Sequence, residues 1–220
     1  MRAEIRIKRF GATPVLGEIA LEVAPGEIVV LTDPSGVGKT TLLRIIAGLD
    51  TAFEGRVEGA GRIAMVFQTP TLLPWRSVEA NIRLTTEADA EVVRGLLAEV
   101  GLAGRADAFP GQLSLGQQRR LALARALAAE PGTLLMDEPF VSLDEDTAVR
   151  MRALTLDLLA RRQIATLIVT HDLTDAAEMA DRIVALAGQP ATACLNHRIS
   201  TPRGSRDAAA EVQTLRALAP

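Results

Sequence analysis

The chain has 220 residues, 48% of them hydrophobic, which is enough to bury a core of its own and excludes a disordered or fibrous polymer. Its 24 basic and 27 acidic residues leave a formal charge of −3, so no surplus of positive charge is available for a nucleic-acid footprint and no nucleic-acid partner is expected. The single cysteine, Cys194, excludes an internal disulfide.

In chain order, Ile5 and Ile7 and then Ile19, Leu21 and Val23 recur at period two, with the turn residues Gly11, Pro14 and Gly17 between them, which predicts a small antiparallel sheet. Glu27–Leu31 (EIVVL) reads as a strand that feeds, through DPSGVGK, a helix over Thr40–Leu49. Four more short apolar runs, Arg62–Phe67, Thr133–Met136, Ile164–Val169 and Arg182–Leu186, read as strands, three of them fully buried. Between Thr69 and Pro131 only helical patterns occur, including Asp89–Val100 and Ser114–Ala129, which predicts an α-helical insertion into the α/β core. Helices over Thr147–Arg161 and Thr174–Ala180 alternate with the later strands, the pattern of a parallel α/β sheet. The tail from Gly188 reads as irregular, with His197 at its surface, and turns helical only near Ala208–Ala219.

DPSGVGKT, residues 33–40, follows the phosphate-binding pattern G-x-x-x-x-G-K-[ST] except that Asp33 stands at the first glycine. Gly36 and Gly38 let consecutive backbone N–H groups turn inward around phosphates, at the positive end of the following helix. Lys39 supplies a compact charge for the β- and γ-phosphates, Thr40 a hydroxyl for Mg²⁺, and Thr41 a hydroxyl for the α-phosphate. The plain alternative is a Gly-rich turn with an ordinary lysine. Against it, only two of the 24 basic residues are lysine, Lys8 and Lys39, so composition alone does not place one here.

LLMDEP, Leu134–Pro139, sets two acids directly after a buried strand, at the edge where α/β sheets bind ligands. Asp137 is expected to hold Mg²⁺ through water and Glu138 to orient and deprotonate an attacking water; taken alone, the pair reads equally well as a solvated loop. His171, in VTHD after the strand IATLIVT, is placed to sense a γ-phosphate, although a lone strand-end histidine is more often structural.

DPSGVGKTT, Gln68, LSLGQ, LLMDEP, SLD and VTHD in this order make the chain resemble the ATP-hydrolysing subunit of ATP-binding cassette transporters, over nearly its whole length. The resemblance implies a P-loop NTPase with a RecA-like core over residues 1–68 and 132–220, a small antiparallel β subdomain, and a helical signature subdomain over 69–131. It implies that Phe10 stacks on adenine, that Pro34, Ser35, Gly36, Val37, Gly38, Lys39, Thr40 and Thr41 hold the phosphates of ATP, and that Gln68 senses Mg²⁺ and the γ-phosphate. It further implies that Ser114, Gly116 and Gln117 of LSLGQ face the γ-phosphate held by a second subunit, and that Asp144 of SLD bridges the two, so a homodimer carries two complete sites. TPTLLPWRSVEANI after Gln68 and HRISTPRGSRDAAAEV near the end resemble the importers of nitrate, sulfonates and taurine. That implies transmembrane permease subunits as partners and a solute-binding protein acting indirectly, with Trp75 either a docking residue or an ordinary core tryptophan. The start MRAEIRIKRFG has no signal-peptide stretch, and the longest uncharged segments fall short of the ~18 residues of a membrane span. The expected location is therefore cytoplasmic, peripheral on the inner face of the cell membrane.

Two positions depart from that family's pattern. Asp33 brings a negative charge towards a polyphosphate, and Leu115 replaces the first glycine of the signature, a difficulty if the turn there requires positive φ. Asp33→Gly is therefore expected to tighten nucleotide binding in a titration; unchanged affinity would show that the carboxylate turns away. The alternative functions are service to another transporter of the family, for export or lipoprotein release, and a weakly active nucleotide-binding regulator.

Overall fold

The computed structural model describes residues 1–32 and 38–218. Its elements begin with β1 (Arg2–Phe10), β2 (Thr13–Leu16), β3 (Ile19–Glu22), β4 (Ile28–Thr32) and α1 (Lys39–Ile46), then β5 (Phe53–Glu58) and β6 (Ile63–Val66). The next stretch holds α2 (Val78–Ile82), α3 (Ala90–Glu99) and α4 (Leu115–Ala128). It is followed by β7 (Thr133–Asp137), α5 (Glu145–Arg162), β8 (Ala165–Val169), α6 (Leu173–Met179), β9 (Arg182–Ala187), β10 (Thr192–Arg198) and α7 (Ala208–Leu218).

Strands β10-β9-β4-β8-β7-β6 form one sheet, parallel except where β10 joins β9. Every residue of β4, β7 and β8 is buried, as their uncharged runs require when both faces of a sheet are covered. Alternation sorts the side chains. Ile28, Val30, Leu134, Met136 and Ile168 join α3, α4 and α5 in one core. Val29, Leu31, Leu135, Leu167 and Val169 join α1 and the small sheet in the other. The α/β fold is therefore built around a sheet sandwiched between helices on one side and α1 with an antiparallel sheet on the other.

That second sheet has β5 on one edge of β1 and β2 and β3 on the other, all antiparallel. A bulge between Ile5 and Ile7 in the β1–β5 pairing breaks the period-two pattern. The register slip turns Lys8 into the interior, where its ammonium reaches Asp50 Oδ1 at 2.6 Å and the Ala52 carbonyl at 3.0 Å.

Three sequence expectations need correction here. Pro14 lies inside β2 rather than in a turn; the turn is at Gly11, whose φ is +59°. β5 was not predicted, because FEGRVE carries three charges and a glycine and leaves only Phe53 and Val57 half-covered. The tail after Gly188 is not irregular, because β10 adds an antiparallel edge to β9, with His197 on it and its Nε2 4.0 Å from Glu211 Oε1 on α7. An exposed edge strand with a bulge between Ala193 and Leu195 has no buried face to impose a readable alternation.

Candidate active site

The parallel registers carry the chemistry-bearing residues to one edge. Leu31 pairs with Val169, and Asp137 with the same Val169, so the ends of β4, β7 and β8 lie level. Gln68, exposed two residues beyond β6, follows the neighbouring strand at that edge. The loop residues Asp33, Pro34, Ser35, Gly36 and Val37 lie outside the described residues.

Gly38 starts α1 at φ +112°, and a Cβ there would fall 2.7 Å from Leu16 Cδ2 and 3.2 Å from Val15 Cγ1. Backbone and neighbours alike therefore demand glycine. The first turn after it, Lys39, Thr40 and Thr41, contains no acid, and a helix start presents its first-turn amides to an anion. Thr40 Oγ1 donates to Asp137 Oδ2 at 3.3 Å. Asp137 is 8% exposed; burial pushes its carboxyl up from the usual range, Thr40 opposes, and neighbouring Glu138 adds to the rise. A buried carboxylate beside a hydroxyl is a hard-oxygen pair of the kind a divalent cation completes. Among the described residues no cluster of three His, Cys, Asp or Glu that could hold a metal ion occurs.

Glu138 adopts φ +47°, a left-handed conformation costly for a residue with a Cβ, on the order of 1–2 kcal/mol. Its amide donates to the Val169 carbonyl at 2.8 Å, and its Oε1 lies 2.8 Å from His171 Nδ1. A carboxylate only accepts, so Nδ1 carries the proton. His171 is 60% exposed and stands free towards solvent on its other side. Glu138, His171, Asp137 and Thr40 are thus gathered at one point.

The remaining predicted residues form two other groups. Ser114 caps α4: its Oγ accepts from the Gln117 amide at 3.3 Å, while Gln117 Oε1 accepts from the Ser114 amide at 3.0 Å. Leu115 is the first helical residue of α4, has no positive φ and is exposed, so the difficulty expected for it does not arise. Asp144 caps α5 by accepting from the Thr147 amide at 3.0 Å. The two helix starts touch: a Cβ on buried Gly116 would fall 2.8 Å from Thr147 Cγ2. Phe10, 56% exposed at the end of β1, presents one ring face to the buried Lys8 ammonium, 4.5 Å from the centroid.

Three arginines and a lysine were missed. Lys8 backs Phe10, as above. Arg119, buried in α4, donates to the carbonyls of Pro139 at 2.8 Å and Val141 at 2.6 Å and so fixes the loop after Glu138. Burial holds its guanidinium below the ordinary value. Arg125 clamps the Thr71 carbonyl and hydroxyl, both at 2.9 Å. Arg152 ties three acids together beneath His171. Each of the three arginines sits at helical spacing among apolar residues, where a charge requires a built-in partner; that was the available signal.

These features define an ATP-binding cassette of the P-loop type. The chain belongs to the ABC transporter family: residues 16–141 match that family's model. It is 43% identical, over 98% of its own length and 92% of the relative's, to the aliphatic sulfonates import ATP-binding protein SsuB 1 of Xanthomonas axonopodis pv. citri (strain 306). It is 46% identical, over 91% of its length and 84% of the relative's, to the protein of that name from Rhodococcus jostii (strain RHA1). Among solved structures it resembles a bacterial ABC transporter cassette captured as a dimer, with TM-score 0.77 and 27% identity over 91% of this chain and 99% of the other. The same cassette in a post-hydrolysis state with ADP and Pi gives TM-score 0.75 at the same identity and coverage.

Proposed function

We propose that the chain is the ATP-hydrolysing subunit of an importer for small sulfonates and related anions, working as a homodimer on a separate permease. The observation that carries the reading is the convergence of Thr40, Asp137, Glu138 and His171 at the carboxyl edge of β4, β7 and β8. The names of the relatives supply the sulfonate, and the dimeric cassette supplies the second copy.

In this reading Phe10 receives adenine on its open ring face, while Lys39, Thr41 and the backbone amides of Ser35–Gly38 hold the phosphates. Thr40, Asp137 and Gln68 would hold Mg²⁺, which when bound offsets phosphate charge and polarises the γ-phosphoryl group. Glu138 takes the proton of the attacking water, and His171, through Nδ1, keeps that carboxylate aimed. Ser114, Gly116, Gln117 and Asp144 complete the site of the second copy, with residues 69–131 as the helical subdomain that carries the signature.

No helix among the described residues is long and apolar enough to cross a membrane. In this reading a separate permease carries the solute, and the chain works peripherally at the inner face of the cell membrane. The segment 71–77 is suited to dock one. Buried Asn81 donates to the carbonyls of Leu73, Arg76 and Ser77 at 3.0–3.1 Å and accepts from the Leu73 amide at 2.8 Å. Trp75 is thereby held 70% exposed on a fixed loop, which sets aside a core role for it. Beyond Arg125, an apolar cleft of about 330 Å³ runs between Leu49, Met65, Phe67 and Ala126. A rigid exposed tryptophan is a typical interface anchor, worth about 2 kcal/mol or more, roughly thirtyfold in affinity. Trp75→Ala is therefore expected to leave melting temperature and ATP affinity unchanged and to release the chain from the permease in a pull-down; retained capture would remove Trp75 from the interface.

The functional test is reconstitution in liposomes with a candidate permease and a candidate solute-binding protein. ATP-driven uptake of a labelled aliphatic sulfonate, competed by taurine, is expected. ATP hydrolysis without uptake of any small anion would return the chain to another transporter of the family.

A further inference from the structure

Arg152 lies on the buried stripe of α5 with Ala148, Met151, Thr155 and Leu159, and is 3% exposed. Its guanidinium ties α6 to the first turn of its own helix, α5. Nε donates to Glu178 Oε2 at 2.6 Å and Nη1 to Asp175 Oδ1 at 3.0 Å, both on α6; Nη2 donates to Glu145 Oε1 at 3.1 Å, the residue after Asp144. The other Asp175 oxygen, Oδ2, accepts from Thr170 Oγ1 at 3.0 Å, and Thr170 Oγ1 accepts from the Asp172 amide at 3.1 Å. Thr170 and Asp172 are the two chain neighbours of His171. Arg152, Glu145, Asp175, Thr170 and Asp172, with Glu138, line a cavity of about 160 Å³.

A buried ion cluster is a poor source of stability, because an apolar side chain of similar volume would fill the stripe without the desolvation cost. Burial pushes the Asp175 carboxyl up to about 6, with Thr170 and Arg152 opposing and Asp172 adding to the rise. What the cluster does supply is direction: two hydrogen bonds of the Thr170 hydroxyl, to Asp175 Oδ2 and from the Asp172 amide, tie both chain neighbours of a histidine whose own ring is too exposed to be fixed by packing, and Arg152 Nη1 in turn holds Asp175.

We propose that Arg152 is a positioning residue for hydrolysis: through Asp175 and Thr170 it sets the turn that presents His171 to Glu138, and through Glu145 it makes that turn follow the helix end carrying Asp144. The proposal rests on the reading of Glu138 and His171 as the hydrolytic pair. Closure of the second protomer on Asp144 then reaches the histidine by rigid-body contact along α5 rather than through the nucleotide.

The test uses the full-length chain at saturating Mg-ATP, with imidazole ¹⁵N spectra beside the kinetics. Only His171 and His197 contribute resonances, and His197→Asn assigns them. For Arg152→Gln the expected result is ATP affinity within about twofold of the parent, kcat lower by roughly ten- to a hundredfold, and His171 signals displaced while those of His197 stay. Thr170→Val, close in shape, removes both hydrogen bonds of the hydroxyl, to Asp175 Oδ2 and from the Asp172 amide, and is expected to act in the same direction; it decides the matter if Arg152→Gln does not fold. Folded variants with parent kcat and an unmoved His171 overturn the proposal, as does a loss of thermal stability with His171 unmoved. Glu138→Gln separates the two layers. If it hydrolyses at the parent rate, the hydrolytic reading falls and the spectra alone judge whether Arg152 holds His171; if it is inactive while Arg152→Gln is not, only the positioning claim fails.

Discussion

Glu138→Gln is expected to bind ATP as the parent does and to lose steady turnover by a hundredfold or more. The substitution keeps the volume of the side chain and an oxygen able to accept from His171 Nδ1, so the 2.8 Å contact survives in form. What it removes is basicity, and a positioned general base contributes on the order of 10²–10⁴ in rate. The backbone gives the side chain little freedom to compensate. Glu138 sits at φ +47°, its amide on the Val169 carbonyl, and the loop that follows is fixed by Arg119 through Pro139 and Val141. None of these depends on the carboxylate charge. With binding intact and hydrolysis blocked, ATP is expected to drive the chain into a long-lived dimer. Phosphate release and size-exclusion chromatography with ATP report the two halves of the prediction separately. Parent-rate phosphate release would take Glu138 out of the chemistry, and lost ATP affinity would mean that it serves binding instead.

The sheet and the site were legible to different degrees, for physical reasons. β4, β7 and β8 announced themselves because strands covered on both faces carry uninterrupted apolar runs, and the acids at the end of LLMDEP are conspicuous against such a run. Ser114 and Asp89 marked helix starts because an N-cap is a local bond between neighbours in sequence; the structure places both as caps, at α4 and α3. Contacts made across the fold left no such mark. Lys8 turns inward only because a bulge against β5 shifts the register, and β5 itself has too little apolar character to read. Arg152 and Asp175 meet across 23 residues of sequence, so an arginine on an apolar stripe hinted at a buried partner without naming it. The proximity of Gly116 to Thr147 was invisible for the same reason, and it changes how the signature glycine is understood.

Gly116→Ala is expected to lower turnover about tenfold, and Thr147→Ser to restore it. Two effects of the single substitution oppose each other. Alanine in place of a helical glycine favours α4 by about 0.5–1 kcal/mol. The new methyl, however, falls 2.8 Å from Thr147 Cγ2, and overpacking of that kind costs typically 1–3 kcal/mol, so the clash outweighs the gain. Relief requires α5 to move at its first turn, the one Asp144 caps through the Thr147 amide. Both helix starts belong, in the proposed dimer, to the surface that closes over the other copy's phosphates, whereas Lys39, Thr40 and Phe10 lie elsewhere and keep the affinity of the single chain. Thr147→Ser removes Cγ2 and retains the hydroxyl and the capping amide. Alone it is expected to be nearly neutral, and in the double variant the steric term vanishes while the helix gain remains. The double-mutant cycle should therefore show coupling of about 1–3 kcal/mol, with the double variant melting above the parent. If turnover stays low in the double variant although its melting temperature recovers, the missing space is on the side of the partner's nucleotide, and Gly116 acts there directly rather than by seating α4 against α5.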